Sequence, residues 1–515
     1  MFMTNSSRML CSQLQGRVMS AAEAAALIPA GATLGMSGFT GAGYPKAIPQ
    51  ALARRMREFQ SRGEEFKVNL WTGASTAPEL DGLLAEVGGI SSRLPFQSDP
   101  LCRQQINDGR IEYLDLHLSE VSQYVWSGFL GNLDIAVIEV TAITEEGLLV
   151  PSSSVGNNKT WMEQAKKIIL EVNHQQPLQL QGMHDIYYGT ALPPHRLPIA
   201  VTQPDDRIGE TLFRCPLEKV IAVVETSAPD RNSAFAPIDD NSRQIAGHIL
   251  EFFDHEVKRG RLPKELLPIQ SGVGNIPNAV LDGLNSGPYR NLTAFTEVIQ
   301  DGMLAMLKSG TLRVASATSF SLSPEGIREF TDNIDFYRER IILRQQDISN
   351  HPELARRLGV IAMNGLLEAD IYGNVNSTHV MGTRMMNGIG GAGDFARNGY
   401  LSIFMTPSTA KGGTISSIVP MVSHVDQTEH DVKVIVTEQG LADLRGLSPK
   451  QRARLIIENC AHPDFRDELW DYFERACAIG AGLHTPHILS EALSWHERYE
   501  KHGTMHRLRG LKSTA

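Results

Sequence analysis

The residue types that could do chemistry cluster in the second half of the chain. Glu297 follows a short apolar run, Ala294-Phe295-Thr296, and precedes Val298 and Ile299. An acid at the C-terminal end of a strand stands where open α/β sheets gather ligands. Burial there would strip water from the carboxylate and raise its pKa, giving a general base or a nucleophile. The plainer alternative is a helix-start Glu facing the macrodipole. Residues 271–275 read SGVGN and lead to Pro277, which opens a helix. Glycines in that place leave backbone N–H groups for an anion or a developing oxyanion, or they simply make a tight turn. Residues 388–398 read GIGGAGDFARN, so Gly388, Gly390 and Gly393 satisfy GxGxxG. The preceding HVMGTRMMN is a poor strand and Asp394 would stand beside a bound pyrophosphate, so a nicotinamide site is not expected. A loop whose backbone approaches a ligand, or a structural turn, fits these glycines. Glu438, in VIVTEQG, is another acid at a strand end, and Asn350, in SNHPE, lies in turn-forming sequence. Alone, each reads as a capping or local hydrogen-bonding residue.

Other chemistries find no motif. His484, His487, His496, His502 and His506 gather near the C-terminus without HExxH or a cysteine pair, so a solvated helical hairpin is expected and no metal. There is no GxSxG elbow and no GxxxxGK[ST] loop, which counts against a serine hydrolase and a nucleotide hydrolase. Cys11, Cys102, Cys215, Cys460 and Cys477 are odd in number and scattered, the pattern of free thiols in an intracellular protein. The 48 Lys+Arg against 58 Asp+Glu leave a net charge of −10, which argues against broad nucleic-acid or anionic-membrane binding. No stretch approaches the ~20 apolar residues of a membrane span. The opening MFMTNSSRMLCSQLQGR lacks an apolar secretory core and reads as a frayed tail, with a transit peptide as the alternative.

The 515 residues are 42% hydrophobic and 21% charged, a globular composition with room for about two to four domains. Short β-branched runs predict strands at 32–36, 67–71, 134–140, 167–172, 220–224, 294–296, 401–405 and 432–437. Helices are expected at 47–57 and at 449–459, the second opened by Ser448 and Pro449. Strands separated by helices imply parallel sheets covered on both faces. An internal repeat is visible as well. Ser37-Gly38-Phe39 leading to Pro45 recurs as Ser271-Gly272-Val273 leading to Pro277, and LWTGAS is answered by AFTEVI. Glu139 before Gly147 is answered by Glu368 before Gly373, and Lys166-Lys167-Ile168-Ile169 by Val432-Lys433-Val434-Ile435. These landmarks predict two related α/β halves, 1–225 and 226–515. The Pro- and Gln-rich stretch 174–206 reads as their connection.

Taken together, SGFTGAGYPKA, LHLSEV, QSGVGNIPNAV, AFTEVIQDG, SNHPE, GNVNSTHVMG, NGIGGAGDFARN, STAKGG and VTEQGLADLRGLSP resemble the acetyl-CoA hydrolase/transferase family, the class I CoA-transferases, from about residue 15 to about residue 500. Within it the chain is most similar to succinyl-CoA:acetate and propionyl-CoA:succinate transferases. The resemblance implies two NagB/RpiA-like α/β/α halves with mainly parallel open sheets, a C-terminal helical segment, and a site between the halves. It makes Glu297 the nucleophile of ping-pong chemistry through a glutamyl-CoA thioester, with an acyl-CoA hydrolase on the same site as the alternative. Val273 and Gly391 become oxyanion donors, and Asn350 and Glu438 a polar pair near the nucleophile. Gly272, Val273, Gly274, Asn275, Ile276, Asn387, Gly391 and Lys411 map onto positions that contact CoA, Lys411 as the cation for a CoA phosphate. Arg231 is a carry-over for a substrate carboxylate or a CoA phosphate, and Ser75 for a hydrogen bond to Glu297 from the first half. No cofactor is implied, since the CoA thioester is itself substrate. The implied partners are acyl-CoA, small carboxylates and a second copy of the chain. The implied location is cytoplasmic, with the mitochondrial matrix as the alternative.

Overall fold

Strands form where apolar, β-branched residues run without alternation, because both faces of such a strand are covered. In the computed structural model, which describes residues 8–231, 237–479 and 482–507, the run IAVIEVTAI is the fully buried strand Ile135–Ile143. It is central to a sheet ordered Glu112–Tyr113, Ile90–Phe96, Val68–Ala74, Thr33–Met36, Ile135–Ile143, Lys167–Asn173, Val220–Thr226, all parallel. The second sheet runs Gly440–Asp443, Val434–Thr437, Leu401–Met405, Ile361–Gly365, Ile269–Ser271, Leu292–Phe295, Leu312–Ala317, Ile341–Arg344, His184–Asp185. There only Gly440–Asp443 pairs antiparallel. All eight strands expected from sequence are present, with ends shifted by a few residues. The helix expected at 47–57 extends to Ala47–Ser61, and Pro449–Cys460 starts with the capping box of Ser448 and Gln451.

The repeat is a repeat of topology. Aligning Thr33–Met36 with Ile269–Ser271 gives the same neighbours in both sheets: one reversal of strand order, between Thr33–Met36 and Ile135–Ile143 in the first and between Ile269–Ser271 and Ile361–Gly365 in the second. LWTGAS and AFTEVI then fall on equivalent strands. One landmark shifts. By sheet position the counterpart of Lys167–Asn173 is Leu401–Met405, and Val434–Thr437 answers Val220–Thr226. Lysine before a β-branched run recurs on both strands, so the short match chose the wrong one.

Three other expectations are corrected. The stretch 174–206 is more than a connection, because His184–Asp185 adds a parallel strand to the edge of the second sheet, anchored by the buried Asp185–Arg344 ion pair. From Arg8 onward the N-terminus is no frayed tail. Arg8 is buried and donates to the carbonyls of Asn173 (3.1 Å) and Gln176 (2.6 Å), and Met9 bridges Ile143; residues 1–7 lie outside the described residues. Of the C-terminal histidines His484 and His502 are exposed, but the other three are not on a solvated hairpin. His496 is buried 2.7 Å from Glu368, His487 bonds the Tyr472 hydroxyl, and His506 stacks on Phe465. These contacts close the core formed by Pro449–Cys460 and Pro463–Ile479 against Leu366, Phe404 and Ile435.

Candidate active site

Open parallel sheets leave a crevice at the carboxyl ends of strands where the strand order reverses. Here that point in the second sheet lies between Ile269–Ser271 and Ile361–Gly365, and a cleft of about 550 Å³ opens there. Its floor comes from Gln270, Ser271, Glu297 and Asn364, and its opposite wall from Phe39, Thr40, Ser75 and Phe96 of the first half. Glu297 stands at a kink. The strand Leu292–Phe295 leaves the sheet, and the chain re-pairs as Val298–Gln300 against Ser319–Ser321. At the kink the Glu297 carbonyl accepts the N–H groups of Thr318 (2.9 Å) and Ser319 (3.2 Å), which fixes the backbone and leaves the side chain to the cleft.

Among the described residues the Glu297 carboxylate accepts one side-chain hydrogen bond, from Asn350 Nδ2 at 2.9 Å. Asn350 is itself held by Ser349, whose hydroxyl donates to its Oδ1 at 2.8 Å. Burial pushes the Glu297 carboxyl up to about 7, and the Asn350 bond pulls the other way. A carboxylate with so little solvation is a stronger nucleophile than one in water. Gly391 lies against it. A Cβ there would sit 1.5 Å from Glu297 Oε1 and 2.2 Å from Asn350 Nδ2, so glycine is required for space, its φ of −96° being ordinary. Val273 also lines the cleft. Among the described residues neither the Val273 nor the Gly391 amide has an acceptor in the chain, so both remain for a ligand oxygen.

The remaining expected residues divide. Gly272 spends its amide on the Met363 carbonyl (3.0 Å), and Gly274, Asn275 and Ile276, at the start of the helix Asn275–Ser286, are outside the cleft lining. Asn387 lines the cleft and is pinned by the first half, its Oδ1 accepting from Arg103 (2.8 Å) and its carbonyl from Tyr113 (2.5 Å). Ser75 and Arg231 also line it. Ser75 makes no hydrogen bond to Glu297 among the described residues; its amide donates to the Phe96 carbonyl, and its φ is 62°. Arg231 is exposed at the rim and pairs with Glu79. Of the polar pair, Asn350 touches Glu297, whereas Glu438 sits in the turn after the strand Val434–Thr437 and makes no hydrogen bond to Glu297 or Asn350 among the described residues. Glu438 instead accepts from the amide (2.7 Å) and hydroxyl of Ser408, at the base of the hairpin that carries Lys411. Lys411 is exposed on that hairpin, outside the cleft lining.

Two participants were missed. Asp394, in the helix Ala392–Asn398 just after Gly391, is buried and accepts from the Ser119 hydroxyl (2.6 Å) and amide (3.1 Å). Asp115 accepts from the Ile389 amide at 2.9 Å. Asp394 is visible in GAGDF, but its partner is 275 positions away. The described residues contain no group of three His, Cys, Asp or Glu side chains placed to hold a metal ion, and no helix long and apolar enough to cross a membrane.

The site is thus a solvent-poor glutamate in a cleft lined by two parallel α/β halves, and comparison with known proteins gives its class. Residues 3–192 match the acetyl-CoA hydrolase/transferase N-terminal domain and residues 326–473 the acetyl-CoA hydrolase/transferase C-terminal domain. The chain is 53% identical to a succinyl-CoA:acetate CoA-transferase of Clostridium kluyveri, covering 96% of this chain and 91% of that one. It is 46% identical to a propanoyl-CoA:succinate CoA transferase of Escherichia coli (95% and 98%) and 49% identical to an acetyl-CoA hydrolase of Schizosaccharomyces pombe (92% and 92%). Among solved structures, RipA from Yersinia pestis shares the fold at a TM-score of 0.71 and 24% identity, over 90% of this chain and 98% of that one. The chain belongs to the acetyl-CoA hydrolase/transferase family.

Proposed function

We propose that this protein is a CoA-transferase that moves CoA from a short acyl-CoA, such as succinyl-, acetyl- or propionyl-CoA, to a small carboxylate, with Glu297 as the nucleophile. One observation carries the reading: a carboxylate with little solvation, held by the Asn350 amide, shares its cleft with Val273 and Gly391, whose backbone N–H groups have no acceptor among the described residues. Glu297 attacks the thioester carbonyl, the C–S bond breaks, and an acyl-glutamyl anhydride and CoA thiolate form. The thiolate then attacks the glutamyl carbonyl and expels the first carboxylate, leaving glutamyl-CoA. An incoming carboxylate reverses the two steps, so the thioester's energy is conserved and the cycle draws on no cofactor. Each tetrahedral intermediate carries an oxyanion, and the amides of Val273 and Gly391 receive it, each such donor contributing roughly 10²–10³ in rate. The phosphates of the CoA tail, reaching out of the cleft, meet Lys411, whose hairpin Glu438 anchors.

Hydrolysis at the same site would need a base to activate water on glutamyl-CoA. Asp394, the carboxyl that shares the Asn350 amide with Glu297, is driven toward its neutral form by burial and by Glu297, and it is tied to Ser119. Both of its oxygens are engaged by Ser119, so neither is free to take a proton from water, and that favours transfer. The test is the mass of the protein after brief exposure to succinyl-CoA without acceptor, with acid quench and peptide mapping. A CoA adduct on the Glu297 peptide, discharged by acetate to acetyl-CoA, is expected. Fast CoA release at a rate indifferent to acetate, with no adduct, would replace the transferase with a hydrolase.

A further inference from the structure

The glycine-rich loop that brings Gly391 to Glu297 belongs to the second half, yet the first half holds it along its length. Arg103 Nε donates to the Met386 carbonyl (2.5 Å), Tyr113 to that of Asn387, Asp115 accepts from Ile389, and the Leu118 amide donates to the Gly390 carbonyl (3.3 Å). The last of these contacts is the buried Asp394 with Ser119. Asp394 lies three residues beyond Gly391 in the first turn of the helix Ala392–Asn398, and the Phe395 amide closes that turn on the Gly391 carbonyl at 3.2 Å. Rotation of the helix would therefore carry Gly391 away from Glu297. The first-half turn packs so closely here that a Cβ on Gly393 would lie 2.4 Å from the His117 ring. The Leu118 carbonyl is in turn held by Gln346 at 2.7 Å, on the short helix that precedes Asn350. The turn 117–119 thus touches the supports of both Gly391 and Asn350.

We propose that Asp394 and Ser119 form a positioning pair that fixes the Gly391 amide against Glu297 across the boundary between the halves. The proposal rests on the CoA-transfer reading above. Burial and the neighbouring Glu297 charge hold Asp394 well above the carboxylate range, with the Ser119 and Asn350 bonds opposing. Asparagine is therefore a fair mimic of this side chain. Its oxygen can accept the Ser119 amide, and its NH₂ can donate to the Ser119 hydroxyl, which is free to rotate.

The experiment compares wild type with Ser119→Ala, Asp394→Ala and Asp394→Asn in succinyl-CoA:acetate transfer, with thermal melts as the folding control. The expected result is a 30- to 100-fold lower kcat for Ser119→Ala and Asp394→Ala, KM for succinyl-CoA within threefold of wild type, and a correspondingly slower appearance of the Glu297 adduct in single turnover. Asp394→Asn is expected within fivefold of wild type. Should Asp394→Ala fail to fold, Ser119→Ala carries the test, since it removes one hydroxyl from a partly exposed turn. A Ser119→Ala enzyme with kcat within threefold of wild type overturns the proposal, as does an Asp394→Asn enzyme as slow as Asp394→Ala. Absence of the adduct in wild type would overturn the CoA-transfer reading instead, so the two failures are distinguishable.

Discussion

Gly391→Ala is the sharpest perturbation this site offers. The added methyl would begin 1.5 Å from Glu297 Oε1, where ordinary contact starts at 3.4 Å, so the carboxylate or the loop must yield by about 2 Å. The backbone gives no relief and needs none, since φ −96° and ψ 2° are open to alanine and folding should be nearly unaffected. The Glu297 main chain is held by Thr318 and Ser319, so displacement falls on its side chain and breaks its contact with Asn350. Misplacing a reacting group by 1 Å costs as much as 10²-fold, and removing one oxyanion donor costs 10²–10³-fold. We expect kcat for acetyl-CoA formation from succinyl-CoA and acetate to fall by about 10²–10³, equivalent to roughly 2.7–4 kcal/mol of barrier, with the melting temperature close to wild type. The assay is the initial rate of acetyl-CoA formation, paired with trapping of the Glu297 adduct in one turnover. A Gly391→Ala enzyme with wild-type stability and kcat within threefold of wild type would refute the placement of Gly391 against the nucleophile.

Two further expectations concern protons. Asn350 donates to the ionised form of Glu297 and opposes the effect of burial, so Asn350→Ala should raise the carboxyl above its present value of about 7. The acid limb of kcat/KM then moves upward by about one pH unit, the scale of a hydrogen bond to a charged group, and part of the lost activity returns at pH 9; an unmoved limb would contradict this. At the C-terminal helices, burial tends to raise Glu368, but the bonds from His496 and Ser423 outweigh it and its carboxyl is held below the ordinary range. A depressed carboxyl contributes stability above its unfolded pKa and loses it as pH falls through the folded value. The difference in urea midpoint between wild type and Glu368→Gln should therefore be full at pH 6–7 and shrink below about pH 4.5; a gap that does not change with pH would count against this.

What could be read in the sequence was what local residues decide. Uninterrupted β-branched runs marked the strands, Ser448 and Pro449 marked a helix start, and Glu297 stood at a strand end beside two glycine-rich stretches. The pairing of Asp394 with Ser119, the contact of Gly391 with Glu297 and the strand His184–Asp185 could not be read that way. Each joins residues far apart in sequence, and none has a local pattern, since a two-residue strand and a lone acid resemble any loop. Asn350 and Glu438 show the opposite limit. Family resemblance grouped them by role, and the structure gives them different partners, Asn350 the Glu297 carboxylate and Glu438 the Ser408 amide at the base of a hairpin.

The crossing of His184–Asp185 into the second sheet, followed by the return of Val220–Thr226 to the first, bears on how such a chain could be divided. A fragment ending near residue 225 would carry a strand whose neighbour, Ile341–Arg344, is on the other piece, together with an Asp185 whose guanidinium partner is missing. The complementary fragment would expose a sheet edge and an unpaired buried arginine. Cleaving the chain between the repeats would thus yield two pieces that are each other's missing parts, and co-expressed they should recover one enzyme where either alone aggregates.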